Sequence, residues 1–296
     1  MLGAVMKILK NPGKAIAAVT HDPLEAWIKF SEYADFPREQ RKPACRYEAE
    51  NDWEQRLHGL LGIPWPCKIR SEFLALWPDV VEPIKAAGIR VGPESFGCWN
   101  DGDPAFARAI FCLIRHLGTL TVVETGVGHG VTSRIILEAL ERNGGGHLWS
   151  IDLPPNAELE REVGIAVAGR HPDRWTYIKG SSRRRLPALL SKLGQIDLFV
   201  HDSLHSERNV RFELDRALAI LKPGGALVAD DIDSNWGFHS FTQDFPSYPS
   251  LICEAEPLRP DLRRFNQKGL FGIILKEPIS QAAGTSQAVP QSDRIH

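Results

Sequence analysis

From Asp103 onward, apolar and polar residues are arranged in two alternating kinds of block. Short apolar runs occupy 120–125, 147–152, 174–179, 196–201 and 225–231. Between them lie longer stretches, at 131–143, 157–170, 184–193 and 206–221, whose apolar residues recur every three or four positions. The short runs read as strands and the spaced ones as helices. A further helix opens at Asp103-Pro104, an acidic cap followed by proline at the first helical position, with Phe106, Ile110 and Ile114 on one face. Regular alternation of strand and helix predicts parallel strands joined by crossover helices. Two more runs, 251–256 and 269–276, are expected to add an antiparallel edge. The expected fold is α/β: a doubly wound, mostly parallel, seven-stranded Rossmann-like sheet over residues 103–277.

Residues 1–102 lack that rhythm and read as a helical N-terminal extension, a lid or a dimer arm. Leu2, Val5, Met6 and Leu9 repeat at helical spacing, but Lys10-Asn11-Pro12-Gly13 breaks the run before it can serve as a signal peptide. Asp22-Pro23 caps a helix with Leu24, Trp27 and Ile28 on one face. Pro43 breaks the stretch that follows. Trp53, Leu57 and Leu60 mark another helix, and Pro64-Trp65-Pro66 a stiff connector. Five of the eight tryptophans (Trp27, Trp53, Trp65, Trp77, Trp99) fall here, and are expected to cover an apolar surface of the core domain or of a second subunit. The last stretch, 278–296, is rich in Gln, Ser, Ala and Thr and reads as a disordered tail.

Composition narrows the functional classes. A net charge of −2 over 296 residues gives no bulk attraction to nucleic acid. The run Arg183-Arg184-Arg185 reads as a solvated helix start. No window approaches the roughly 18–20 apolar residues that span a bilayer. Cys45, Cys67, Cys98, Cys112 and Cys253 are scattered, with no close pair at metal spacing, as expected of reduced thiols in a cytoplasmic protein.

The chemistry concentrates at the ends of the predicted strands. Residues 122–133 read Val-Val-Glu-Thr-Gly-Val-Gly-His-Gly-Val-Thr-Ser: a strand into Glu124, then Gly126, Gly128 and Gly130, then a helix. Glycines at such a turn allow close backbone approach, and the helix turns unpaired N–H groups toward the same spot. This predicts a site for a small, partly charged cofactor. Asp152, ending the next strand, is placed to accept from the ribose hydroxyls of an adenosine group. Gly180-Ser181-Ser182 leaves room for an adenine ring, or is a plain turn. His201-Asp202-Ser203-Leu204-His205 ends the fourth strand and Asp230-Asp231 the fifth, so Asp202, Asp230 and Asp231 are expected to converge. Two carboxylates about 4 Å apart repel by roughly 4 kcal/mol at an effective dielectric near 20. A cation would relieve that, and all-oxygen ligands select Mg²⁺, Ca²⁺ or Mn²⁺. His205, on the same rim, is either a proton acceptor or an ordinary surface histidine. His201 and His129 read as structural. Trp236, Phe238 and His239 either line an acceptor pocket or pack a loop.

The glycine loop with Glu124, the acid Asp152, and the turn Leu221-Lys222-Pro223-Gly224-Gly225 together resemble class I S-adenosylmethionine-dependent methyltransferases over about residues 103–276. More narrowly, Asp202-x-x-His205 with Asp230-Asp231 resembles the metal-dependent O-methyltransferases of macrolide sugars. The resemblance implies S-adenosylmethionine held by Glu124, Gly126, Gly128, Gly130, Asp152, Ser181 and Asp202. It implies Mg²⁺ on Asp202, Asp230 and Asp231, His205 as base, and a hydroxyl-bearing small-molecule acceptor. Two other readings stand beside it. A nicotinamide-dependent oxidoreductase would share the strand–glycine–helix unit, but Gly126-x-Gly128-x-Gly130 is not the Gly-x-Gly-x-x-Gly spacing of dinucleotide sites. A non-catalytic assembly subunit would explain the Trp-rich leader, which also admits a homo-oligomer.

Overall fold

The computed structural model describes residues 22–39, 41–43, 45–89, 103–154, 159–255 and 269–276. The expectations for Leu2–Leu9, for Cys98 and Trp99, and for the tail 278–296 lie outside these residues.

Among the described residues, seven strands form one sheet in the order β3-β2-β1-β4-β5-β7-β6. They are β1 (Thr121–Thr125), β2 (His147–Asp152), β3 (Trp175–Lys179), β4 (Ile196–His201), β5 (Leu221–Ala229), β6 (Ser250–Glu254) and β7 (Leu270–Leu275). β1 to β5 are parallel; β7 runs antiparallel to both β5 and β6. The strand order reverses between β1 and β4, and a crevice opens there at the carboxyl ends.

The helices are α1 (Pro23–Glu39), α2 (Trp53–Leu61), α3 (Ile69–Ala86), α4 (Pro104–Leu117), α5 (Val131–Arg142), α6 (Ser182–Leu193), α7 (Glu207–Ile220) and α8 (Gly237–Asp244). None is long and apolar enough to cross a membrane. α2 to α5 cover one face of the sheet, where Trp53, Phe73, Val80, Ile110 and Phe111 share a core with Val122 and Leu198. α6 to α8 cover the other, where Leu186, Leu214 and Phe238 pack against Val123, Phe199 and Leu227. The extension is therefore part of the core of the sheet domain. Trp53 and Trp77 are buried in it, whereas Trp27 is 65% exposed on α1.

The expected caps are present: the Asp103 side chain accepts from Ala105 N at 2.8 Å, and the Asp22 side chain from Glu25 N at 3.1 Å. α3 runs on through Pro78 and Pro83. Burial of Phe73, Leu76, Trp77, Val80, Val81 and Ile84 on one face holds it together despite the two prolines.

The expected helix over 157–170 is not formed. Its described part is a chain of short 3₁₀ turns, Leu159–Arg161 and Ile165–Val167, followed by Pro172–Arg174. Gly164, Ala168, Gly169 and His171 all take positive φ, which no α-helix accommodates. The segment folds back onto the glycine loop, with Gly164 N donating to Gly128 O at 3.0 Å and Ala166 N to His129 O at 2.8 Å. The fifth strand also differs. It begins at Leu221 and bulges between Ile196 and Leu198 of its partner, and it stops at Ala229, leaving Asp230 and Asp231 in the loop beyond.

Candidate active site at the carboxyl ends of the sheet

The register of three strands levels their ends. Thr125 pairs with His201, and His201 with Ala229. The residues that follow, Gly126, Asp202 and Asp230, therefore stand in a row at the switch point. Backbone bonds extend the ladder one step: Asp202 N donates to Thr125 O at 2.8 Å, and Asp230 N to His201 O at 2.9 Å.

This closeness explains Gly126. A Cβ there would lie 1.8 Å from the carbonyl oxygen of Asp202, with φ at +86°. Gly130 is constrained in the same way, since a Cβ would come within 2.7 Å of the Gly164 backbone. At these two positions the chain that approaches the loop is the protein's own. Val127 N and Gly128 N, which could have faced an anion, donate to Asp152 Oδ2 at 3.1 Å each. Asp152 Oδ1 accepts from Leu153 N at 2.7 Å. Asp152 thus tethers the glycine loop to β2, and its lone pairs suffice to accept from further donors. His129 is buried and its Nε2 lies 3.2 Å from Glu162, so it orders the loop, as expected.

Glu124 is fully buried at the end of β1. Its Oε2 accepts from Ser133 Oγ at 2.6 Å and Ser150 Oγ at 2.7 Å, while Oε1 has no hydrogen-bond partner. Burial pushes the carboxyl up to about 7, against the two serine bonds.

The acidic rim forms beside it. One ligand-type atom from each of Asp202, His205 and Asp230 lies within 4.8 Å of the others. Burial, then the charges of Asp230, Asp231 and Glu124, hold the Asp202 carboxyl well above the usual carboxylate range. Burial and Asp231 do the same to Asp230. Asp202 Oδ1 is buried without a hydrogen-bond partner. Asp231 stands at the edge of this group. Its residue takes φ +48°, its side chain is one-third exposed, and its Oδ2 lies 3.9 Å from His205 Nε2. His205 Nε2 is 3.8 Å from Asp202 Oδ1, so the imidazole sits between two carboxylates. The donor set fits a divalent cation: two or three carboxylates, with Asp202 Oδ1 unpartnered, plus one imidazole.

Sequence reading missed what holds the rim in place. Glu213 on α7 is fully buried beneath it. It accepts from Thr125 Oγ1 at 2.5 Å, Ser203 Oγ at 2.8 Å and Asn209 Nδ2 at 2.9 Å, and its Oε2 lies 2.6 Å from His201 Nδ1. Burial opposes its charge, but His201 and the hydroxyl donors outweigh it and pull the carboxyl down to about 2. Asn209 Nδ2 also donates to Leu204 O at 3.1 Å, and Asn235 Nδ2 to His205 O at 3.3 Å, which fix the loop that carries His205. The structural role expected of His201 is therefore observed. A glutamate and an asparagine inside an amphipathic helix carry no mark of such duty; only the inward position of Glu213, among Val210, Leu214 and Ala217, hints at it.

Ser181 is occupied differently from expectation. Its backbone N–H and its hydroxyl both donate to Glu25 of α1, the hydroxyl at 3.0 Å. Arg184 pairs with Asp22 on the same helix. Farther along α1, Glu39 accepts from Glu207 N at 3.1 Å. α1 therefore lies across the amino ends of α6 and α7, because unpaired N–H groups at helix starts attract carboxylates. Phe238 is a packing residue: it is buried beneath β7, where a Cβ on Gly272 would meet its ring at 2.2 Å. Trp236 Nε1 donates to Pro43 O at 2.8 Å, and His239 packs edge-on against Trp236. The arginine run starts α6 as expected, but only Arg185 is exposed, since Arg183 lies over the Phe212 ring at 4.9 Å and Arg184 pairs with Asp22. The cysteines are scattered in sequence, yet Cys67 and Cys112 meet in space, beside His58 and His116.

Comparison with known proteins agrees with this geometry. Residues 123–232 match the model of a methyltransferase domain. No curated protein matches the sequence. Among solved structures, one similar fold is that of a Klebsiella pneumoniae protein assigned to the O-methyltransferases. It is 14% identical with a TM-score of 0.53, over 76% of this chain and 96% of that one. Another is the O-methyltransferase of Bacillus cereus in complex with SAH, 13% identical with a TM-score of 0.50, over 76% of this chain and 97% of that one. Residues 123–232 are thus similar to a methyltransferase domain, and the seven-stranded sheet around them has the fold of these two structures.

Proposed function

We propose that the protein is a divalent-metal-dependent O-methyltransferase, with Mg²⁺ the preferred ion, that methylates a hydroxyl of a sugar or another small polyol-bearing acceptor. The observation that carries this reading is the convergence of Asp202, His205 and Asp230 within 4.8 Å, one strand end away from Glu124 and the glycine loop. Residues 103–277 would form the transferase unit with α2 and α3 packed into its core, and of residues 1–102 the part that includes α1 would be the lid or dimer arm. α1 supports the arm reading, since Leu24, Trp27 and Phe30 on it are all more than half exposed. The near-neutral charge favours a small-molecule acceptor over nucleic acid, and the free thiols favour the cytoplasm.

The residues divide the work as follows. Gly126, Gly128 and Gly130 keep the turn free of side chains where S-adenosylmethionine would seat. Glu124 Oε1, buried and unpaired, is an acceptor suited to an ammonium group, and Asp152 to ribose hydroxyls. Ser181 reaches the adenine end only after Glu25 withdraws. Asp202, Asp230 and Asp231 would hold the cation, which when bound supplies a Lewis acid that lowers the pKa of an acceptor hydroxyl. His205 takes that hydroxyl's proton, and the neighbouring carboxylates stabilise the imidazolium that results. Holding acceptor and methyl donor in line supplies much of the acceleration.

Calorimetry with S-adenosylmethionine, and turnover of hydroxyl acceptors with Mg²⁺ or with EDTA, test the reading. Saturable cofactor binding and turnover lost in EDTA are expected; full turnover in EDTA would remove the metal from the mechanism. The position of His205 favours a second assignment, as a metal ligand. The variant His205→Gln separates the two: a base leaves metal affinity intact while turnover falls, and a ligand loses both.

A further inference from the structure

At the opposite end of the molecule, four residues from three elements bring their ligand atoms together: His58 of α2, Cys67 of the connector after it, and Cys112 and His116 of α4. One nitrogen or sulfur atom from each lies within 4.8 Å of all the others. We propose that these four side chains bind one structural Zn²⁺ in a closed Cys₂His₂ site.

The spacing suits a tetrahedral ion. Zinc–sulfur bonds of about 2.3 Å and zinc–nitrogen bonds of about 2.0–2.1 Å place sulfur and nitrogen roughly 3.6 Å apart. Cys112 Sγ and His58 Nε2 are 3.7 Å apart. The tautomer is set as well. His58 Nδ1 lies 2.6 Å from Glu54 O, and a carbonyl only accepts, so the ring proton is on Nδ1 and the Nε2 lone pair faces the thiol. A backbone carbonyl behind a metal-binding imidazole is the usual supporting bond. His116 Nε2 is buried with no hydrogen-bond partner. Such an orphan needs an explanation, and a missing ion is one. Cys112 and His116 stand one turn apart on α4 and so face the same way. Cys112 and His58 are buried, and the Trp65 ring covers His58 at 4.8 Å between centroids.

The donor set selects the metal. Two thiols and two imidazoles form a soft tetrahedral set that suits zinc, unlike the oxygen-rich rim. Four protein ligands leave no open position, which marks a structural ion rather than a catalytic one. Its place says the same: α4 ends at Leu117 and leads into the amino end of β1, whereas the rim stands at the carboxyl ends. The ion would pin α2 and the connector to the first helix of the transferase unit. This inference does not rest on the transferase reading.

Metal analysis of the full chain, purified without chelator, tests it. One zinc per chain is expected. Exchange with Co²⁺ should yield the visible absorption and the near-ultraviolet thiolate band of a tetrahedral sulfur-bound ion. Both should vanish in Cys112→Ser and in Cys67→Ser, and both should persist in Asp230→Asn, which touches only the acidic rim. If a cysteine variant does not fold, the wild-type chain still decides, because zinc should shield Cys67 and Cys112 from alkylation. Wild-type protein that takes up neither zinc nor Co²⁺, zinc indifferent to both cysteine variants, or a Cys67–Cys112 disulfide in the purified chain would each overturn the proposal.

Discussion

The acidic rim and the Cys/His cluster are both groups of metal-ligand side chains within 4.8 Å of one another, yet they differ in almost every other respect. The rim gathers carboxylates that repel, at the open ends of strands, with Asp231 still one-third exposed. The cluster gathers neutral-or-soft donors between helices, with Cys112 and His58 buried. The rim is destabilised by its own charges; the cluster is a point where three elements meet. An open set of oxygen ligands suits a reacting site, and a closed set of four suits a structural one. Changes at the rim should therefore alter turnover and spare stability, and changes at the cluster should do the reverse.

The largest effect is expected at the rim. Asp202→Asn and Asp230→Asn should each lower turnover by about 10²–10³-fold, the scale of a lost electrostatic partner of the transition state. Asp202 is raised by burial and the charge of Asp230, and Asp230 by burial and the charge of Asp231, so the stability they contribute is present at low pH and lost as pH rises through their folded values. The metal-free Asn variants should thus melt at or above the wild-type temperature at neutral pH. A variant that keeps its turnover but melts lower would break the contrast. At the cluster, Cys112→Ser should cost about 3–4 kcal/mol in urea titration, the entropy of a cross-link over a loop of this length. His58 and Cys112 are 54 residues apart. The KM for the acceptor should not change; a raised KM would mean that the two sites are coupled.

Two buried glutamates sharpen the contrast within the active end itself. Glu124 is raised to about 7, so its contribution is present below pH 4.5 and lost between there and 7. Glu213 is lowered to about 2, so its contribution is present above pH 4.5 and lost as pH falls toward 2. Each shift corresponds to roughly 3 kcal/mol. Thermal melts across pH should show Glu124→Gln gaining stability at pH 8 and Glu213→Gln losing it there. Equal behaviour of the two variants would mean that Glu213 does not hold the loop of His205. The smallest effect is expected at Glu25, which engages Ser181. Glu25→Gln should tighten S-adenosylmethionine binding a few-fold, about 1 kcal/mol, the scale of one helix-start carboxylate. Unchanged affinity in calorimetry would place Ser181 outside the cofactor site.

The order of strands and helices, the caps at Asp22 and Asp103, and the acids after β4 and β5 were all legible in the sequence, because period, capping and turn chemistry are local. The helix expected over 157–170 was not, because Gly164 and Gly169 answer to a distant contact with Gly130 and not to their own neighbours. Gly126 was singled out for a ligand, and the nearest atom to its missing Cβ belongs to Asp202.

By itself, then, the amino-acid order determined the alternation of strands and helices from Asp103 onward and the caps at Asp22 and Asp103, since hydrophobic period and local hydrogen bonding act over a few residues. Tertiary structure alone decided that Asp202, His205 and Asp230 would meet, that Glu213 would lie beneath them, and that His58 and Cys67 would find Cys112 and His116. Those meetings depend on strand register and helix docking, which are settled by the packing of the whole core and leave no trace in the spacing along the chain.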